Sequence, residues 1–229
     1  MLSQDLNFLT AALRLSTKYS VQSLRRLLIS SLAEIFPDTL DGFRQRKNKK
    51  LFQMFVGEAF VAAELARVGE APILLPSILY CCCTYPTEHF IDSEQLDWTQ
   101  KRACVLGRER MMHQFGKLVI CLTSPHPNLA QECEVGQTIC GDCDHNSLCT
   151  VPDWRPALRR AMEFAPWLGD RLPSAFSNTM DLQWSNGVCS TCFGNLQELY
   201  DSERRRIWEE LPGYLDLGTW NALREATDM

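Results

Sequence analysis

The sequence lacks an uninterrupted apolar run long enough to cross a lipid bilayer. Its most apolar stretch, residues 71–83, contains Pro72 and Pro76 and is shorter than the roughly 20 residues that a spanning helix needs. The first residues lack the pattern of an export signal, which is a basic residue followed by a continuous apolar segment. No Asn-x-Ser/Thr glycosylation sequon occurs. From these absences we expect a cytoplasmic or nuclear protein without membrane contact.

Basic residues are also fewer than acidic residues. The 229 residues include 23 Lys and Arg against 28 Asp and Glu, which gives a formal charge of −5. Broad nucleic-acid surfaces are basic, so we do not expect a nucleic acid as the partner. The 45% of hydrophobic residues and 22% of charged residues are typical of a folded globular chain.

The sequence motifs of several large enzyme classes are missing. No G-x-S-x-G, Walker phosphate-binding loop, G-x-G-x-x-G or H-E-x-x-H sequence occurs. The zinc-deaminase signature is absent as well, because Ile139 rather than proline precedes Cys140. We therefore predict a protein that is not an enzyme.

Apolar residues recur at helical spacing through most of the chain, and no stretch shows the alternation of a strand. The pattern predicts helices at residues 5–15, 21–35, 51–68, 72–83, 97–122, 153–164, 189–210 and 219–226. We expect a mainly α fold, with a helical hairpin at the start and a helical array after it. Residues 124–152 have little helical period and predict an irregular, cysteine-rich segment.

In the predicted helix 21–35, the spacing of the apolar residues indicates which side faces the core. The expected inward residues are Val21, Leu24, Leu28, Leu32 and Ile35. Arg25 and Arg26 are expected to face outward.

Two other groups of residues have a structural and a functional interpretation. The basic cluster is interpreted as a solvated loop rather than a nuclear-import signal or a phosphate contact, and it consists of Arg44, Arg46, Lys47, Lys49 and Lys50.

Five of the six tryptophans follow residue 150. We interpret them as anchors of the core rather than as a binding face.

Eleven cysteines, an odd number, cannot all pair with one another. Those at helical apolar positions are expected to be small core residues, and they are Cys81, Cys82, Cys83, Cys104 and Cys121.

Two C-x-x-C pairs suggest a metal centre. The four candidate ligands are Cys140, Cys143, Cys189 and Cys192. Four thiolates can bind zinc in a closed, structural site, which would fasten the irregular segment. Substitutes for the first pair are Cys149, Cys133 and His145. The long interval between the pairs keeps a second interpretation open, in which these cysteines are free, partly buried thiols.

Several short motifs resemble one family. The sequence A-L-R-L-S-T-K-Y at residues 12–19, followed by L-R-R at 24–26 and F-P at 36–37, resembles the helical tail of a BTB/POZ domain. Residues 63–67 and 74–81 are similar to the helical segment after the BTB core in basidiomycete (mushroom-type fungal) proteins. The C-terminal sequence R-R-R-I-W-E-E-L-P at residues 204–212, with the C-x-x-C upstream, resembles the ending of those proteins.

The resemblance implies an adaptor or scaffold that binds an unidentified protein. Residues 1–122 would be a BTB-tail or BACK-like helical region, and residues 123–229 a cysteine-containing C-terminal helical region. The α/β core that forms the BTB dimer interface would precede Met1, so we do not expect a BTB-type homodimer or cullin docking. Two alternatives stay open. One is a thiol- or metal-dependent enzyme that uses the paired cysteines, and the other is a nucleic-acid-binding regulator.

Overall fold

Helices make up most of the residues that the computed structural model describes, which are 2–46, 58–123, 176 and 190–227. In chain order they are α1 (Leu2–Lys18), α2 (Gln22–Ile35), α3 (Leu40–Gln45), α4 (Glu58–Val68), α5 (Leu75–Cys83), α6 (Thr87–Ile91), α7 (Trp98–Thr123), α8 (Ser190–Glu209), α9 (Leu211–Tyr214) and α10 (Trp220–Thr227). A 3₁₀ helix, Pro72–Leu74, leads into α5. No strand occurs in these ranges, and the predicted mainly α class is confirmed.

The helix bounds follow the apolar periodicity closely at α7, α8 and α10. The first helix was expected to end near residue 15, but α1 continues to Lys18. Ser16 does not interrupt the helix, because its side chain is buried and its hydroxyl donates a hydrogen bond of 2.9 Å to the carbonyl of Leu13. The predicted helix 153–164 and the first part of the predicted helix 51–68 lie outside the described residues.

The predicted helical hairpin is formed by α1 and α2. The chain reverses through Ser20, whose φ of 54° is left-handed, and the amide of Val21 donates to the carbonyl of Ser16 at 2.8 Å. Leu13 of α1 and Ile29 of α2 are both fully buried in the shared core. Gly69 follows α4 at a point where a Cβ atom would overlap the side chain of Leu13, so glycine permits the close packing of α1 against α4.

The helices continue as an array that the C-terminal residues close. Helix α4 packs on α5 and α5 packs on α7, while α8 and α9 both pack on α7. Helix α10 returns to the 3₁₀ helix, where the Thr227 hydroxyl accepts a hydrogen bond of 3.1 Å from the amide of Ile73. Residues of both predicted regions, 1–122 and 123–229, therefore contribute to one hydrophobic core.

The centre of the core is aromatic. The ring centroid of Trp208 lies 4.8 Å from that of Phe43 and 5.0 Å from that of Phe176, and its indole stacks on Trp220 at 5.9 Å. The indole N–H groups of both tryptophans have hydrogen-bond acceptors. Trp208 Nε1 donates to the carbonyl of Asp38 at 2.9 Å, and Trp220 Nε1 donates to the carbonyl of Trp208 at 3.0 Å. The expected core role of the late tryptophans is confirmed for these two.

The other late tryptophans, Trp154, Trp167 and Trp184, lie outside the described residues. Within the described ranges, the structure contains no helix that is both long enough and apolar enough to span a membrane.

The aromatic centre predicts that Trp208 contributes much more to the free energy of unfolding than Trp98 does. Trp208→Ala should lower the free energy of unfolding by about 3–5 kcal/mol, because it removes a buried ring and leaves the Asp38 carbonyl without its donor. Trp98→Ala is the matched control, since Trp98 is 76% exposed and its loss should cost less than about 0.5 kcal/mol. Urea unfolding followed by circular dichroism measures both. Equal midpoints for the two variants would contradict the assignment of Trp208 to the centre of the core.

Candidate functional site

The predicted zinc ligands lie where the structure describes no side chains. Cys140, Cys143 and Cys189 are outside the described residues, as are the substitutes Cys133, His145 and Cys149. Cys192 lies in the first turn of α8, but its side chain is among those not described. Among the described residues, no three Cys, His, Asp or Glu side chains are placed to hold a metal ion. The zinc site stays a prediction.

The described surface has its largest exposed apolar side chains on the hairpin. Six of the nine exposed large apolar residues in the described ranges belong to α1, α2 and the turn between them. We call these six the hairpin surface, and they are Phe8, Leu15, Tyr19, Val21, Leu24 and Leu27. Phe8 is 70% exposed and Leu27 is 63% exposed. Concentrated apolar exposure of this kind marks interaction sites in folded proteins.

The hairpin surface arises because each helix carries more apolar residues than the core takes. In α1, Leu9 and Leu13 face the core, while Phe8 and Leu15 lie on a neighbouring stripe that is exposed. The prediction that Val21, directly before α2, and Leu24 of α2 face inward was wrong. The inward residues there are Arg25, Leu28, Ile29 and Leu32.

Arg25 explains this rotation of α2. The residue was expected to face outward, and this too was wrong, because Arg25 is only 8% exposed. Its Nε donates to the carbonyl of Gly69 at 3.1 Å, and its Nη2 donates to the carbonyl of Glu70 at 2.6 Å. Glu70 has a left-handed φ of 51°, so the guanidinium satisfies the carbonyls of a tight turn after α4. This long-range contact turns Val21 and Leu24 toward solvent.

Positive charges outnumber negative charges on the hairpin. Helices α1 and α2 contain Arg14, Lys18, Arg25 and Arg26 against Asp5 and Glu34. Arg14 forms an ion pair with Glu64 of α4, and Arg25 is buried. Lys18 and Arg26 are exposed, and the Lys18 ammonium lies 5.6 Å from the ring centroid of Tyr19. The hairpin surface is therefore apolar with a positive border, in a chain of net charge −5.

The basic cluster at residues 44–50 is not the solvated loop that was expected, as far as it is described. Arg44 lies in α3 and pairs with Asp201 of α8 at 2.6 Å. Arg46 is buried, with its guanidinium carbon 3.4 Å from the centroid of the Phe43 ring and Nη1 3.4 Å from the sulfur of Cys81. Both arginines connect helices of the core. Lys47, Lys49 and Lys50 lie outside the described residues.

A second feature is a group of buried thiols. Cys81, Cys82, Cys83 and Cys104 are free and buried, as predicted for core residues, and the side chain of Cys121 is not described. The thiols of Cys82 and Cys83, at the end of α5, both form hydrogen bonds with the thiol of Cys104 in α7. The sulfur of Cys83 also lies 3.4 Å from the carbonyl oxygen of Cys104.

These contacts separate the acidities of the three thiols. Hydrogen bonds from Cys82 and then Cys83 lower the pKa of Cys104 to about 5, against the opposing effect of its burial. Burial, and then the hydrogen bond with Cys104, raises the pKa of Cys82 and of Cys83 well above the usual value. Sequence reasoning recognised each cysteine as a core residue but not their convergence, because no local spacing relates α5 to α7.

Comparison of the chain with protein-family models, with curated proteins and with solved structures finds no match. The resemblance to BTB/POZ proteins therefore rests on the motifs at residues 12–37, 63–81 and 204–212.

The role of Arg25 can be tested by a substitution that keeps its charge. Arg25→Lys should lower the free energy of unfolding by about 1.5–3 kcal/mol, because a single ammonium cannot reproduce the fork that binds the carbonyls of Gly69 and Glu70. Arg26→Lys is the control at the neighbouring exposed position and should change stability by less than about 0.5 kcal/mol. Chemical unfolding measures both, and an unchanged midpoint for Arg25→Lys would refute the role.

Proposed function

We propose that this chain is a non-enzymatic protein-interaction module that binds an acidic, amphipathic helix through the hairpin surface. The observation that carries the proposal is the concentration of six exposed apolar side chains on α1, α2 and the turn between them, in a hairpin where four basic residues outnumber two acidic ones. A monomeric surface rarely keeps such residues together without a partner.

The dimensions and charges of the hairpin define the partner. Helix α1 has 17 residues and is about 25 Å long, which suits a partner helix of four to five turns. Apolar residues of the partner at positions i, i+3, i+4 and i+7 would cover Phe8, Leu15 and Leu27. Carboxylates beside them would face Lys18 and Arg26, which gives specificity and faster association.

The motif resemblance to the helical region of basidiomycete BTB/POZ proteins supports an adaptor or scaffold role for such a module. The expected structural zinc at Cys140, Cys143, Cys189 and Cys192 belongs to the same proposal. It would connect the irregular segment to the start of α8, which begins at Ser190 directly after Cys189.

The contacts of the described arginines give less support to a nucleic-acid-binding role. Arg44 is paired with Asp201, and Arg206 is paired with Glu203 at 2.9 Å and with Glu210 at 3.0 Å. A phosphate would have to displace these carboxylates. The proposed partner needs only Lys18 and Arg26, which lie at the border of the hairpin surface.

The interaction can be tested with a designed helical peptide of about 18 residues, with leucine at the i, i+3, i+4 and i+7 positions and glutamate elsewhere. We expect saturable binding by fluorescence anisotropy, with an affinity that falls as salt screens the charges. The double variant Phe8→Ser/Leu27→Ser should bind at least about 10-fold more weakly, since it removes two exposed contacts. Trp98→Ser is the matched control, because it removes an equally exposed apolar side chain outside the hairpin.

Three outcomes would overturn this assignment. The first is no binding of the glutamate peptide to the native chain. The second is equal loss of binding in the Trp98→Ser control. The third is selective binding to phosphatidylglycerol vesicles instead of the peptide, which would identify the hairpin surface as a membrane contact. A peptide with lysine in place of glutamate should not bind.

The zinc site has its own test in protein purified without chelator. We expect about one zinc per chain by elemental analysis, and Cys189→Ser should lose the metal and lower the thermal stability of the chain. Cys81→Ser is the control, because Cys81 is a free thiol of the core and its loss should leave the zinc content unchanged. Metal-free protein with all eleven thiols reactive after unfolding would refute zinc binding.

A further inference from the structure

Three thiols from two helices meet in the core of the described structure. Cys82 and Cys83 are the last residues of α5, Cys104 lies in α7, and the two helices pack against each other. Both α5 thiols hydrogen-bond to the Cys104 thiol, and the Cys83 sulfur is 3.4 Å from the Cys104 carbonyl oxygen. Core packing requires only that such residues be small and apolar, and it does not require their sulfur atoms to converge.

We propose that this thiol cluster is an oxidation site, at which hydrogen peroxide forms a disulfide between Cys104 and one of the two neighbouring cysteines of α5. The inference is independent of the hairpin surface and of the predicted zinc site, since it uses none of their residues.

The reaction balances with peroxide as the oxidant. The thiolate sulfur of Cys104 attacks one peroxide oxygen, the O–O bond breaks, and hydroxide leaves and takes up a proton to become water. Cys104 is then a sulfenic acid. The sulfur of Cys82 or Cys83 attacks the Cys104 sulfur, the S–O bond breaks, and a second water leaves. Two thiols have lost two electrons and two protons, and one peroxide has become two waters.

The relative acidity of the three thiols indicates which sulfur attacks peroxide and which completes the disulfide. Hydrogen bonds from Cys82 and Cys83 lower the pKa of Cys104, so its thiolate forms more readily than theirs and is the one that attacks peroxide. The α5 cysteines, whose pKa burial raises, remain thiols and supply the second sulfur. Cys81, the residue before Cys82, does not belong to the thiol cluster, because its sulfur contacts the guanidinium of Arg46.

Burial of the cluster determines which oxidants react. Cys82, Cys83 and Cys104 are each 0% exposed, so a bulky reagent has no direct access to their sulfur atoms. Hydrogen peroxide is little larger than water and can reach them through local opening of the packed helices. The product would tie α5, which carries Tyr80 of the aromatic core, to α7, on which α8 and α9 pack.

The test uses the full reduced chain, kept folded, with hydrogen peroxide as the probe. After treatment, free thiols are blocked, the protein is digested without reductant, and cross-linked peptides are identified by mass spectrometry. We expect a peptide containing residues 82 and 83 joined to one containing residue 104, two hydrogens lighter than their sum. The melting temperature should rise by several degrees on oxidation, because the cross-link restricts the unfolded chain.

Variants make the assignment specific. Cys104→Ser should abolish both the cross-linked peptide and the rise in melting temperature, and circular dichroism checks that the variant is folded. Cys81→Ser is the matched control from the same helix and should keep both. A bond between Cys82 and Cys83 alone, a cross-link that involves Cys81, or a cross-link that forms only after unfolding would each overturn the proposal.

Discussion

Trp208 packs its indole against Phe43 of α3 and against Phe176, and its Nε1 binds the carbonyl of Asp38 at the end of the hairpin. The same residue stacks on Trp220, which begins α10. The side chain of Asp38 in turn pairs with Arg224 of α10 at 2.8 Å. One buried ring and its hydrogen bond therefore hold the hairpin, the middle helices and the C-terminal helices in one arrangement.

Buried arginines also stabilise this core. Arg25, Arg46 and Arg204 are nearly buried, and each lies against backbone carbonyls or an aromatic ring rather than in solvent. The planar guanidinium can stack and donate several hydrogen bonds at once, while its aliphatic stem packs with apolar neighbours. In α2 the burial of Arg25 accompanies the exposure of Leu24 and Leu27.

The hairpin surface and the thiol cluster lie in different environments, and different interactions govern them. The hairpin surface is exposed, apolar and positively bordered, so its energetics are those of association and depend on salt. The thiol cluster is buried and close-packed, so its chemistry depends on the hydrogen bonds between Cys82, Cys83 and Cys104 and on the size of the reagent. Neither depends on the residues of the predicted zinc site.

Local sequence determined the helices and much of what they bury. The period of apolar residues in α7 and α8 and the proline-bounded entry to α5 are local properties, so the mainly α class and the burial of Cys81, Cys82, Cys83 and Cys104 were predictable. The side of α2 that faces the core was not predictable, because two apolar stripes competed. The choice came from carbonyl groups of Gly69 and Glu70, more than forty residues away in the chain.

The convergence of Cys104 on the α5 thiols and the role of Trp208 were decided in the same way. Each arises from contacts between helices that are far apart in sequence, and periodicity within one helix carries no information about its neighbour. Sequence by itself determined the long helices of the described residues and which of their residues are apolar, but not the short helices α3, α6 and α9. Only the tertiary structure decided which apolar residues stay in solvent and which thiols meet, because those outcomes depend on packing between helices that local patterns do not encode.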